Sequence, residues 1–335
     1  MTATTSTPVR SRTKVGWGDL AWLTWRQHRL LIVIGVGLAA LGSLTAVAVA
    51  WAVGSPGNSA AEFLTAHLQP RVAGQLLTMF PMAFGALVAV FWAAPLLASE
   101  YEQKTHFVAW GQDLSPARWL LGKVVLLGVS AIGLTAVSGA AVQHLLTAVN
   151  THVGTRGTVT GHLPFPPFLL DSYESDPLVQ VGFAAFGFAL GLVVSALTRR
   201  TVVSMGIALG LFLLVRLLVA VVWRPRFWTP ERLVTPIDDQ GRAEFDVLYA
   251  KMDDSMPVGS GYLDGSGNEV ELSRSCYETD FNQCLRESGV VSFFADHHPI
   301  DRLVPFQLFE FAVFAVLAAG LLALAFRLVR RSHRL

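Results

Sequence analysis

The residues of this chain that could do chemistry are few and scattered. Gly122 and Lys123 in "ARWLLGKV" have the look of a phosphate-binding loop. Ala117, however, stands where the first glycine should be, and Val124 replaces the Ser or Thr that would reach magnesium. ATP is therefore not expected to bind by that route. There is no HExxH pair and no GxSxG elbow, and single Ser, His and Asp residues form no readable triad. Asp296 to Pro299, "DHHP", offers two histidines that diverge on most backbones and have no companion at ligand spacing, so it reads as a turn rather than a metal site. Cys276 and Cys284 are expected to close a small disulfide loop that constrains the chain without doing chemistry. No catalytic, cofactor-binding or metal-binding residue is assigned.

Composition explains the scarcity. Of 335 residues, 53% are hydrophobic and only 15% are charged, against about 25% charged in an ordinary soluble domain. A soluble enzyme and a disordered chain are disfavoured, and a net charge of +1 offers no field for nucleic acid. The apolar residues gather in six blocks, at 30–53, 78–98, 120–142, 179–197, 202–223 and 306–326. Each approaches the roughly 20 residues that cross about 30 Å of hydrocarbon. The expected fold is an all-α polytopic membrane protein with six transmembrane helices. Only "TRR" separates the fourth block from the fifth, which reads as a tight helical hairpin.

Lys and Arg set the orientation. With the N-terminus inside, the segments 1–29, 99–118, 198–200 and 327–335 are internal and hold the dense basic clusters. The outer segments, 54–77, 148–178 and 224–304, are together about twice as long yet hold fewer basic residues. The expected topology is N-in and C-in. Four regions follow: a disordered cytoplasmic tail at 1–16, spans one to five at 17–223, a large outer loop or subdomain at 224–304, and the sixth span with a basic tail at 305–335. Residues 17–29, "WGDLAWLTWRQHR", read as an interfacial helix or an aromatic and basic anchor, with Trp17, Trp22 and Trp25 beside Arg26 and Arg29.

Two charges within the spans stand out. Arg216 in the fifth and Glu310 in the sixth fall at similar depth near the outer leaflet. They either form an intramembrane ion pair joining those helices or reach the interface separately. Gly187 with Gly191, and Gly206 with Gly210, are small pairs at four-residue spacing. Internal packing is the expected use, and a homodimer seam is the other.

Three stretches are familiar together: "WLTWRQHRLL" (Trp22 to Leu31), "LASEYEQKTHFVAWGQDLSPARWLLGK" (Leu97 to Lys123) and "DRLVPFQLFEFAVFAVLAAGLLALAFRLVRR" (Asp301 to Arg331). With "WRPRFWTPERL" they resemble the actinobacterial permease subunits of type-2 ATP-binding-cassette exporters. The resemblance implies a six-span permease that pairs with a second copy, as homodimer or heterodimer. It also implies two copies of a separate ATPase chain, which would bind Mg-ATP, while this chain holds no cofactor. In such proteins the inner turn between the second and third spans is a coupling helix seated on the ATPase. Here that turn is 99–118, carrying Glu100, Tyr101, Glu102, Lys104, Phe107, Trp110 and Arg118. Ser99 and Phe107 stand where the family usually has basic residues. The implied function is outward movement of a hydrophobic or amphipathic substrate: a drug, antibiotic, peptide or lipid. The alternative is a non-transporting sensor or assembly factor whose acidic outer loop binds a partner.

Overall fold

The computed structural model describes residues 16–104, 115–152, 163–238, 252, 254–277 and 281–332. Six helices are long and apolar enough to cross a membrane: α1 (Trp17–Gly54), α3 (Pro70–Glu102), α4 (Pro116–His152), α6 (Pro177–Thr198), α7 (Thr201–Arg226) and α9, whose regular part is Leu303–Ser332. Among the described residues, two short helices, α2 (Ser59–Leu68) and α5 (Leu170–Glu174), lie between them. The six long helices alternate in direction, which separates a basic end of the bundle from an end that carries a small β-sheet.

The helix limits have local causes. Asp176 caps α6 by accepting hydrogen bonds from the N–H groups of Leu178 (2.8 Å) and Val179 (3.4 Å), with Pro177 in the first position. Arg199 takes the left-handed conformation (φ 53°) and closes that helix, so Arg199 and Arg200 alone turn the chain into α7. The expected hairpin is thus present. α1 is one unbroken helix of 38 residues, about 57 Å long, so residues 17–29 continue the first span with no break between an interfacial helix and a membrane helix. α3, α4 and α7 each contain a π-turn, at Val88–Ala93, Val124–Gly128 and Val219–Trp223.

α6 is the central helix. It is apolar on every side and is packed by α3, α4, α7 and α9. Its close approach to α3 depends on glycine. A Cβ on Gly187 would lie 2.6 Å from the Gly85 carbonyl oxygen, and one on Gly191 2.6 Å from that of Ala89. α1, α7 and α9 are peripheral, with broad exposed apolar faces.

Within the mostly helical fold, the segment 224–304, expected as an outer loop or subdomain, holds a β-sheet. Its described residues build four antiparallel strands, β1 (Glu231–Pro236), β2 (Met256–Asp264), β3 (Glu269–Val270) and β4 (Val290–His298), in the order β1-β4-β2-β3. A short helix, α8 (Phe281–Glu287), precedes β4. Phe293 and Ala295 form the core of one face with Leu233, Ile237, Met252 and Tyr262. Asp296, His297 and His298 lie in β4, so the turn expected there is replaced by strand; the apolar run before them is paired on both sides and carries the histidines into the ladder. The sheet rests on the start of α9, where Trp228 and His298 pack with tilted rings against Phe306 at 4.8 and 4.9 Å between ring centroids.

Candidate functional site

The basic end gathers the residues that frame the 99–118 turn. α3 terminates at Glu102, and its carboxylate accepts from the Thr201 N–H at 3.1 Å and the Thr201 hydroxyl at 2.6 Å. A carboxylate at this position satisfies an orphan donor of α7 and sits at the positive end of its dipole. The guanidinium of Arg199 lies 5.3 Å from the centre of the Tyr101 ring. Glu100 forms an ion pair with Lys123, which is 2% exposed and stands 4.4 Å from the Trp119 ring centre. Arg118 covers the Trp17 ring at 5.1 Å, and the Leu20 side chain borders Gly122.

Serines fasten the same region to α6 and α7. Pro95 offers no N–H to the helical ladder of α3. Just beyond it, Ser195 Oγ accepts from the N–H groups of Leu97 (3.2 Å) and Ala98 (2.7 Å), and Ser204 Oγ donates to the Ala94 carbonyl at 3.1 Å. Glu100, Tyr101, Glu102 and Arg118 are therefore brought together with the starts of α1 and α7. Lys104 is exposed at the end of α3 in a left-handed conformation (φ 56°). Trp22, Trp25, Arg26 and Arg29 lie farther along α1, Arg26 covering Trp22 at 5.3 Å. Phe107 and Trp110 lie outside the described residues. Lys123 belongs to this site, although sequence reasoning alone passes it over as a charge within a span. The signal for it is its place three residues into the third apolar block.

The sheet end holds a second charged constellation and corrects an expectation. Arg216 and Glu310 do not pair with each other. Arg216 Nε donates to Glu174 Oε2 at 2.8 Å, its Nη2 contacts the same oxygen, and its Nη1 donates to the Met82 carbonyl at 2.6 Å. Glu310 is held by Arg224, whose Nε and Nη2 each donate at 2.8 Å. Arg224 Nη2 also reaches Glu174 Oε1 at 3.0 Å. The order is Arg216–Glu174–Arg224–Glu310, two cations and two anions, with Glu174 and Glu310 side chains 1% exposed.

The physical reason lies in α7. Arg216 and Arg224 are eight residues apart, which on a regular α-helix leaves them about 80° out of line. The wider π-turn Val219–Trp223 between them removes much of that offset. Both then face Glu174, which α5 folds back into the bundle, and the Tyr173 ring covers Arg224 at 4.0 Å.

These two ends belong to one recognisable span pattern. The family model "ABC-2 membrane transporter related" matches residues 28–224. The chain belongs to this family. No curated protein matches it in sequence. As an ABC-2 permease it is a multi-pass membrane protein with a role in transport; membership of the family implies an ATPase partner, and the bacterial cytoplasmic membrane is the usual location of the class. The matched region takes in the first five spans and both sides of the 99–118 turn, and it ends at Arg224. The sheet and α9 lie beyond it.

The permease's sheet is braced in two ways. Cys276 and Cys284 form a disulfide with a Cα–Cα distance of 5.4 Å. Arg232 bridges Asp296 (2.8 Å) and Glu269 (2.9 Å), and its hydrogen bonds hold the Asp296 carboxyl below the usual range. His298 ties the sheet to the end of α7: its Nε2 is 3.0 Å from the Pro225 carbonyl, while Arg302 Nη1 is 3.3 Å from its Nδ1. Both contacts fit a neutral ring with the proton on Nε2, and burial pushes its pKa below the ordinary histidine value. Among the described residues no group of three or more His, Cys, Asp or Glu side chains is placed to hold a metal.

Proposed function

We propose that this chain is the permease subunit of an exporter, oriented N-in and C-in, and that it moves a hydrophobic or amphipathic substrate outward. Two copies of a separate ATPase chain hydrolyse Mg-ATP, and this chain contributes no catalytic group. The observation that carries the reading is the basic end. There, the two sides of the 99–118 turn are joined to each other by Glu100–Lys123 and tied to the starts of α7 and α1 through Glu102–Thr201, Tyr101–Arg199 and Arg118–Trp17. A push on that turn is felt at once by four helices. An ATPase docked there biases the helices toward one state by binding it more tightly.

A second permease copy completes the transporter. α7 supports this, because a Cβ added at Gly206 or Gly210 would meet no atom within 4 Å, and both glycines stand on its exposed face among Val202, Leu209 and Leu213. The test is affinity purification from native membranes, comparing wild type with Tyr101→Ala/Glu102→Ala. The expected result is an ATPase that accompanies wild type and is depleted from the variant. Persistence of the ATPase with the variant refutes the docking site. Its absence from folded wild type refutes the exporter reading and favours the sensor.

A further inference from the structure

The sheet hangs from the spans by two short connections, residues 227–230 after α7 and 299–302 before α9. Trp228 and His298 pack on Phe306 at the start of α9, and Met256 of β2 joins the same apolar core. Of these three side chains only His298 can change its charge. It is fully buried and engaged at both ring nitrogens. Its Nε2 donates to the Pro225 carbonyl at the end of α7 (3.0 Å), and its Nδ1 accepts from Arg302 Nη1 (3.3 Å). One imidazole thus ties the end of β4 to the spans on both sides of it.

This seat suits the neutral ring alone. A proton added at Nδ1 turns that acceptor into a donor and sets an imidazolium N–H against a guanidinium N–H. Arg302 is not free to turn aside, because its Nη1 also donates to the Thr229 carbonyl at 2.7 Å and its Nη2 pairs with Glu231. The other groups around the ring, among the described residues, bring no spare anion. Glu231 of β1 is engaged by Arg302, and Asp296 of β4 by Arg232. His297 is the next residue on β4, and β2 places Met256 opposite His298. On the α7 side, Arg224 is held by Glu174 and Glu310, and Arg226 donates to the Val222 carbonyl. Asp301 is exposed. A buried cation without a counter-ion is expelled to water.

We propose that His298 is an acid-released clamp: a proton from the solvent at the sheet end, taken up at Nδ1, drives the ring from its seat and frees the sheet from the ends of α7 and α9. The Arg224–Glu310 pair is untouched and keeps those two helices together, so the sheet moves while the bundle stays folded. Burial, and Arg302 after it, hold the His298 pKa below the ordinary histidine value. The clamp is therefore closed at neutral pH and opens in acid. That the acid is external rests on the orientation proposed above; the clamp does not.

The experiment uses the full-length protein in nanodiscs, where solvent reaches both faces. Spin labels are carried by Ser266→Cys in the β2–β3 turn and Ala60→Cys on α2, both exposed positions. Non-reducing conditions preserve Cys276–Cys284, and labelled protein is diluted with unlabelled copies. Pulsed electron–electron resonance reads the distance as pH falls from about 8 to about 5, across the ordinary histidine value. A narrow distribution should give way to a longer, broader one, with its midpoint below about 6.5. His298→Gln, a neutral amide that can donate to the Pro225 carbonyl, should keep the narrow distribution throughout. Arg302→Gln should move the midpoint to higher pH, a shift that a purely structural His298 does not produce. An unchanged distance in wild type overturns the clamp. So does a transition that persists in His298→Gln, which assigns it to the carboxylates, or one accompanied by loss of helical circular dichroism, which is general unfolding. In right-side-out membrane vesicles only the medium is acidified. Loss of the transition there, with the transition retained in nanodiscs, refutes the orientation and leaves the clamp standing.

Discussion

At the scale of single residues, the four-charge network at the sheet end is the most exacting feature. A buried charge stripped of its partner costs about 3–5 kcal/mol. Arg224→Met leaves Glu310 without its guanidinium, so a marked loss of thermal stability in detergent is expected. Arg224→Met/Glu310→Met removes both charges and should recover part of that loss. A double variant no more stable than the single would refute the pairing. Acidification should act in two steps. His298 has a depressed pKa in the folded protein, so its contribution is complete above the ordinary value of about 6.5 and is lost as pH falls below it. Asp296 is also depressed, but its partner Arg232 is well exposed, so its contribution is screened and small, and it disappears only below the ordinary carboxylate range. A thermal-stability profile against pH should lose the upper step in His298→Gln. Sequence showed that Arg216 and Glu310 needed partners in a low-dielectric span. It hid the partners because Glu174 sits in a proline-rich segment between spans and Arg224 lies just past the apolar block.

At the scale of elements, the spans were legible because hydrocarbon demands long apolar runs. The π-turns were not, since nothing in "VAVVW" distinguishes a wide turn from a regular one. Inserting one alanine between Val219 and Trp223 should rotate Arg224 by about 100° away from Glu310. Loss of stability similar to Arg224→Met is expected, whereas Val221→Ala should have little effect because that side chain is exposed. The sheet was also hard to read. Pro257, Gly259 and Gly261 interrupt β2, and glycine and proline are poor strand formers. Of the glycine pairs, Gly187/Gly191 serves internal packing as expected, whereas Gly206/Gly210 does not pack inside the chain. Gly206→Leu/Gly210→Leu should therefore spare folding and shift a cross-linked dimer toward monomer in native membranes.

At the scale of the whole molecule, orientation is the property on which the proposed mechanism turns. Reporters fused at either terminus should both score as internal, and one inserted at Gly267, in the β2–β3 turn of the sheet, should score as external. A split result for the termini would contradict the alternation of six helices. Thr201, at the first position of α7, is held by Glu102, and near the far end Arg216 and Arg224 are held by Glu174 and Glu310. Between these anchors α7 is the span with the smallest buried share, 17%. A rod pinned at two points and lightly gripped between them swings as a lever instead of bending, and the densely packed α6 beside it is the natural fulcrum. Displacement of the inner turn would then emerge, reversed in direction, beneath the sheet.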